Sequence, residues 1–325
     1  MPITRRRLGA MLPALAMPAI ARAAESWPDR PVRFIVPFPP AGAADIVGRM
    51  LAAHLQGAFG KPFVVENRPG AGSSIGVDVL AKAPADGSVL GMGNIAANAI
   101  LPAVQPGRLP YDPVKDFTAI SNLVVTPCWL LVNPAKLDVR DVDGLVAAAK
   151  ARPEAINFGS SGVGTSLHLA MEMFLLRAGI RMTHVPFNGG SPALQALLAG
   201  TVEAMVDTVA TSTQLVREGR LRPLATTMPH RLADWPDLPA LVERYPGTEM
   251  ASWHGLLGPA GLPAPVVEKV AVETRRFLAL PETVQKFRAQ TLEPAPTTPA
   301  EFAAFMASEA ARYREVVQKA GIRVE

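Results

Sequence analysis

Short apolar runs separated by helix-length amphipathic stretches recur along most of the chain, and this alternation restricts the fold more than any other feature. Residues 32–36, 63–66 and 89–92 read as strands. A helix is predicted over 44–56, where Ile46, Val47, Met50, Leu51 and Leu55 share a face, and a shorter one over 76–83. Strands joined by helix-length crossovers imply a parallel sheet with helices on both faces. The pattern loosens over 105–122 and then begins again. Strands are expected at 119–125, 129–132, 156–159, 183–186, 204–207 and 221–226, with helices at 142–151, 166–178 and 192–199. Two long helices are predicted near 265–280 and 299–320. The pattern implies an α/β clamshell of two domains, with the C-terminal helices returning to the first and a ligand cleft between the two. The expected division is 24–126 plus 251–325 for one domain and 127–250 for the other. Strand-to-helix loops of both halves would then line the cleft, where α/β folds bind ligands.

The first 23 residues read as an export signal. Arg5, Arg6 and Arg7 make a basic start, residues 8–20 are apolar and uncharged, and Ala21-Arg22-Ala23 is an A-x-A cleavage pattern. The apolar run is shorter than the roughly 20 residues of a spanning helix, and Pro13 and Pro18 interrupt it. Cleavage after Ala23 and a periplasmic location are expected. Thr4-Arg5-Arg6-Arg7-Leu8-Gly9 also fits a twin-arginine signal. The chain carries 32 Lys+Arg against 28 Asp+Glu. Residues 1–23 hold four arginines and no acid, so cleavage leaves 28 of each sign. A neutral mature protein has no electrostatic footprint for nucleic acid or an anionic membrane. The single cysteine, Cys128, forms no internal disulfide, and its apolar surroundings read as core. With 49% hydrophobic residues the chain has the apolar content to fold on its core alone.

Two segments share a strand–loop–helix layout suited to anions. In the first, 37–45, small residues would let a ligand approach the backbone at a helix start, where N–H groups lack internal partners and the dipole favours negative charge. Its candidates are Phe38, Ala41, Gly42, Ala43 and Asp45, with Asp45 placed either to cap the turn or to bind a donor group. The second, 157–168, combines three glycines with hydroxyls. Its candidates are Ser160, Ser161, Gly162, Gly164, Thr165, Ser166 and His168, with His168 read chiefly as a packed or capping histidine. Rigid structural turns are the competing reading for both. Gly93, Asn94, Thr126, Asp207 and Thr208 are further candidates at strand ends.

Other chemistries find little support. Residues 66–76 have G-x-G-x-x-x-G spacing, which is not a dinucleotide fingerprint, and no P-loop occurs, so no cofactor is expected. Ser161 misses the G-x-S-x-G elbow by its last residue. The five histidines lie at no metal-ligand spacing, and a lone cysteine rules out thiolate zinc sites. A serine hydrolase using Ser160 or Ser161 with His168 is the enzymatic alternative.

Segments 27–40, 64–72, Ala85-Asp86-Gly87, 109–113 with Asp116-Phe117, 159–169, His184-Val185-Pro186-Phe187, Trp253-His254-Gly255 and Gly258-Pro259-Ala260-Gly261 follow one another in a characteristic order. Through them the chain resembles the Bug family, the extracytoplasmic solute-binding proteins of tripartite tricarboxylate transporters. The order and spacing of these segments are specific, although each alone is weak. The resemblance implies a type II periplasmic-binding fold and capture of a small organic acid between the domains. It also implies binding loops at 38–45 and 160–166, and membrane transporter subunits as partners. Presentation of the ligand to a membrane sensor is the alternative; a monomer is expected. Two departures stand out. The family's Pro-Gly-Gly is Pro40-Ala41-Gly42 here, and a Cβ at Ala41 disfavours positive φ. The family's Tyr-Lys-Gly is Phe187-Asn188-Gly189, which removes a hydroxyl and a cation.

Overall fold

The computed structural model describes residues 27–322, so the expected signal segment lies outside the described residues. The first stretch contains β1 (Val32–Val36), α1 (Ala43–Phe59), β2 (Phe63–Asn67), α2 (Ser74–Ala81), β3 (Val89–Asn94), α3 (Leu101–Val104) and β4 (Phe117–Thr126). Next come β5 (Cys128–Val132), α4 (Val142–Ala151), β6 (Asn157–Ser160), α5 (Ser166–Ala178), β7 (Thr183–Pro186), α6 (Gly190–Ala199), β8 (Ala204–Thr208), α7 (Val209–Arg217) and β9 (Arg222–Thr226). The last stretch has β10 (Ser252–Pro259), α8 (Ala264–Ala279), α9 (Pro281–Arg288), the two-residue β11 (Glu293–Pro294) and α10 (Pro299–Ala320).

Two sheets result. The six-stranded sheet has the order β11-β4-β10-β3-β1-β2, and the five-stranded sheet β7-β6-β8-β5-β9. Neither is wholly parallel, which corrects the expectation from the alternation. β1 runs parallel to β2 and β3, but β10 is antiparallel to both β3 and β4. In the second sheet β6 is parallel to β7 and β8, while β5 is antiparallel to β8 and β9. The reversals follow from the two crossings. β4 hands the chain to β5 through Pro127 alone, and β10 brings it back after β9.

Local chemistry explains the principal helices. On α1 the buried residues Ala44, Val47, Gly48, Leu51, Ala52 and Leu55 follow the 3.6-residue period. Gly60 ends the helix in the left-handed region at φ 68°, and its N–H bonds to Gln56. Gly48 is required by close packing, since a Cβ there would lie 2.7 Å from Val36. Asp141 caps α4, and Thr298 with Glu301 forms a capping box on α10. One apolar cluster packs α1, α8 and α9 on the first sheet, and another packs α6 and α7 on the second. A third runs through both halves, from Ile35 and Val77 to Phe158 and Phe174, and includes Phe302 and Tyr313 of α10. α10 therefore touches β4 and α5 together. Cys128 lies in this cluster at 0% exposure, and burial pushes its thiol up to about 12, as a structural thiol requires.

Candidate functional site

Strand register places the two candidate loops. In the first sheet Ile35 pairs with Gly91, Asn94 with His254 and Ser252 with Thr126, so the C-terminal ends of β1 and β3 lie beside the Thr126–Cys128 crossing. In the second, Gly159 pairs with Met205 and Thr208 with Cys128, which brings the C-terminal ends of β6 and β8 to the same crossing. Val209 N–H donates to Pro127 O at 2.9 Å and fastens α7 there. Each loop thus leaves a parallel strand at the junction of the sheets, the position at which α/β folds place ligands.

The first loop is held from beneath by Asp45. This carboxylate is 2% exposed. Its Oδ2 accepts from Ala41 N–H (2.9 Å) and Arg49 Nε (2.8 Å), and its Oδ1 from Asn67 Nδ2 (2.7 Å). Asn67 Nδ2 also donates to Phe38 O at 3.0 Å. Burial pushes the Asp45 carboxyl up, but the bonds from Arg49, Asn67 and Ala41 outweigh it and hold the pKa below its ordinary value. Asp45 is therefore an ionised support with both oxygens bonded within the protein. Its charge suits the N-terminus of α1, and pairing with Arg49 keeps that charge from repelling an anion. Ala41, Gly42 and Ala43 are exposed, and Gly42 at the N-cap supplies no side-chain cap.

Ala41 adopts φ 66° despite its Cβ. The bond from its N–H to Asp45 holds the turn in the form a glycine would take freely. Ala41→Gly should therefore keep the loop and raise stability by up to about 1 kcal/mol. The measurement is the urea midpoint, and a lower midpoint would show that Ala41 is unstrained.

In the second loop, Ser160 is fully buried and its Oγ lies 2.7 Å from His184 Nε2. Gly162 N–H donates to the same Oγ at 3.2 Å. Gly164 N–H donates to His168 Nδ1 at 3.0 Å, which leaves the His168 proton on Nε2, 3.4 Å from Glu172. The His168 and His184 rings stack at 3.8 Å between centroids, and Phe158 stacks on His184 at 4.9 Å. Burial, and then the adjacent His168, pull His184 down to about 4, so it is neutral at pH 7. Ser160 and His168 both hold the loop through bonds within the protein, His168 as the packed histidine its sequence context suggests. Ser161 Oγ donates to Thr165 Oγ1 (3.1 Å), and Thr165 Oγ1 donates to Gly162 O (2.8 Å) and caps α5 by accepting from His168 N–H. With Gly162, Gly164 and Thr165 N–H groups all engaged, Ser166 is the hydroxyl at the α5 start that bonds no described residue.

Phe187 braces this loop from behind, donating its N–H to Ser160 O at 3.0 Å. Asp207, one residue before the end of β8, is 2% exposed, and its Oδ2 accepts the Thr211 hydroxyl at 2.6 Å. Burial raises its pKa despite that bond. The His168–His184 stack, the Ser160–His184 pair and the Asp45–Asn67 bond escaped the sequence reading, since each joins residues far apart in the chain. Among the described residues no group of three His, Cys, Asp or Glu is placed to hold a metal. No described helix is long and apolar enough to cross a membrane.

Comparison with known proteins gives this arrangement its class. Residues 47–322 match the model of the tripartite tricarboxylate transporter family receptor, TctC. Protein BugT of Bordetella pertussis is 33% identical, with 93% of each chain covered. A solved R. palustris protein with adipate is 33% identical with a TM-score of 0.72, covering 91% of this chain and 99% of that one. MatC from Rhodopseudomonas palustris with bound malate is 28% identical with a TM-score of 0.68, covering 90% and 100%. The fold is the two-domain α/β fold of periplasmic solute-binding proteins. The chain belongs to the TctC family of receptors, within which the Bug proteins fall.

Proposed function

We propose that this protein is an exported receptor that captures a small organic acid between its two domains and delivers it to the membrane subunits of a tripartite transporter. The observation that carries this reading is the shared position of the two loops, each at a helix start and each beside the Thr126–Cys128 crossing. The relatives solved with adipate and malate support a carboxylate as the ligand class. The ligand-facing donors are the Gly42 and Ala43 N–H groups on one side, and the Ser166 hydroxyl with the first turn of α5 on the other. Asp45, Ser160 and His168 hold these donors in place. Closure is favoured when the acid touches both sets together, because only contacts specific to the closed state shift the equilibrium.

The division into 24–126 plus 251–325 and 127–250, cleavage after Ala23 and a monomeric state belong to the same proposal. The serine-hydrolase alternative is disfavoured by the full burial of Ser160 and by the commitment of Ser161 to Thr165. A calorimetric and thermal-shift screen of mono-, di- and tricarboxylates tests the proposal. At least one acid should bind at micromolar or lower Kd and raise Tm. Absence of any response across the panel overturns it.

A further inference from the structure

Beside the first loop lies a polar pair with unused hydrogen-bonding capacity. Asn94 ends β3 and pairs directly with His254 of β10. Opposed residues of an antiparallel pair project from the same face with Cβ atoms about 5 Å apart. The His254 ring packs edge-on against Phe38 of the anion loop, with centroids 5.0 Å apart. Asn94 is 1% exposed. Its Oδ1 is occupied, accepting from Ala96 N–H (2.9 Å) and Ala97 N–H (3.1 Å). Its Nδ2 and the neighbouring His254 Nδ1 are buried without a hydrogen-bond partner. Two unpartnered buried polar atoms on directly paired residues are costly, about 1–3 kcal/mol each, unless a further group bonds them.

Resting on the carboxylate reading above, we propose that Asn94 Nδ2 and His254 Nδ1 form a specificity subsite for an uncharged oxygen on the ligand, a hydroxyl or carbonyl carried beside the acid group. The Asn94 amide offers only protons from Nδ2, so the incoming atom must accept. Burial lowers the His254 pKa to about 4, so the ring is neutral at pH 7 and its Nδ1 either donates to a carbonyl or accepts from a hydroxyl. An ammonium group in the same place would meet the Asn94 donor with no lone pair and is excluded. Phe38 ties the subsite to the loop proposed to hold the carboxylate, so one small molecule reaches both.

The test is calorimetry at pH 7 with sets of acids that differ at one position. The first set is succinate, malate, oxaloacetate and aspartate; the second is glutarate, 2-hydroxyglutarate, 2-oxoglutarate and glutamate. In at least one set the hydroxy or keto acid should bind tenfold or more tightly than its unsubstituted and amino partners, because a site built to bond an oxygen rejects analogues that leave it unpaired. Two variants separate the subsite from the fold. Asn94→Asp keeps the Oδ1 that bonds Ala96 and Ala97 and replaces the donor. His254→Phe keeps an aromatic ring against Phe38 and removes both nitrogens. Each should reduce the preference below threefold, read as the ratio of affinities within that variant, so that a uniform change in affinity for all the acids does not enter the comparison. If the parent binds unsubstituted and substituted acids equally, or both variants keep the preference, an internal water alone fills the gap and the subsite is refuted. If no acid in either set or in the wider screen binds, the carboxylate reading falls and this inference with it.

Discussion

Asp45→Ala should cost about 2–3 kcal/mol of stability and weaken binding of the captured acid by thirtyfold or more. One buried carboxylate fixes the entire first loop by accepting Ala41 N–H, Arg49 and Asn67. Removing it leaves the Ala41 amide unpaired and frees Asn67, which also grips Phe38 O. Each hydrogen bond to a charged group contributes about 1.5–3 kcal/mol, discounted here because Ala41 and Arg49 can turn to water. The larger effect falls on binding, because the Gly42 and Ala43 N–H groups proposed to meet the acid keep their places only while the turn at Ala41 is held at positive φ. Asp45→Asn retains an acceptor toward one partner but sets an amide against another donor, so it should fall between parent and alanine variant. Urea unfolding gives the stability term and calorimetry the binding term. Hydrogen exchange at Ala41 and Gly42 reports the loop without any ligand and should accelerate in both variants. Binding by Asp45→Ala within threefold of the parent would show that the loop is held by something else.

The sequence made the alternation, the two halves and the two small-residue loops at helix starts legible, because each is written in local periodicity and composition. The helices α4, α5 and α10 begin at their capping residues, Asp141, Thr165 and Thr298. Strand direction was not legible, since an apolar run such as Trp129–Leu131 looks the same in either orientation; only the Pro127 crossing makes β5 antiparallel to β8. The short α9 was hidden behind Pro281, which reads as a stop after α8 but serves as the first residue of a new helix. α7 is rich in Thr and Val, poor helix formers, and depends on Pro127 and on the packing of Val209 and Val216. Within the site the loops were visible but the division of labour was not. Whether Asp45 faced a ligand or its own turn depended on Asn67, 22 positions away. Whether His168 faced the cleft depended on Gly164 and on the His184 ring.

A second substitution should show the converse behaviour, a large loss of stability with little loss of binding. Glu309 on α10 is 4% exposed and accepts from Trp253 Nε1 at 3.2 Å. It also pairs with Arg312, which in turn donates to the backbone oxygen of Glu249 in the segment that returns the chain to β10. Burial raises the Glu309 pKa, and the nearby Arg312 charge and the Trp253 bond offset only part of that rise. The group therefore contributes through its position rather than through a freely solvated charge. Glu309→Ala strands the Trp253 indole N–H in the core and leaves the poorly exposed Arg312 with the Glu249 backbone oxygen and a 3.9 Å approach to Glu249 Oε1 in place of its close carboxylate partner. Breaking a buried pair from one side costs about 3–5 kcal/mol, so the variant should lose on that order, read from the urea midpoint. Glu309→Gln keeps an acceptor for Trp253 and the shape of the site, and should lose roughly half as much. Neither change touches the bonds that build the two anion loops, so affinity should stay within a few-fold of the parent wherever the variant remains folded. Because α10 packs on β4 and α5 together, both halves should unfold in one transition in the parent and in Glu309→Gln. In Glu309→Ala the weakened anchor at the return crossing should split that transition in two, visible as tryptophan fluorescence and far-ultraviolet dichroism that no longer coincide. Coincident transitions together with an unshifted midpoint would mean that Arg312 and Trp253 find replacement partners, and that the buried pair is not what fixes α10 to the crossing.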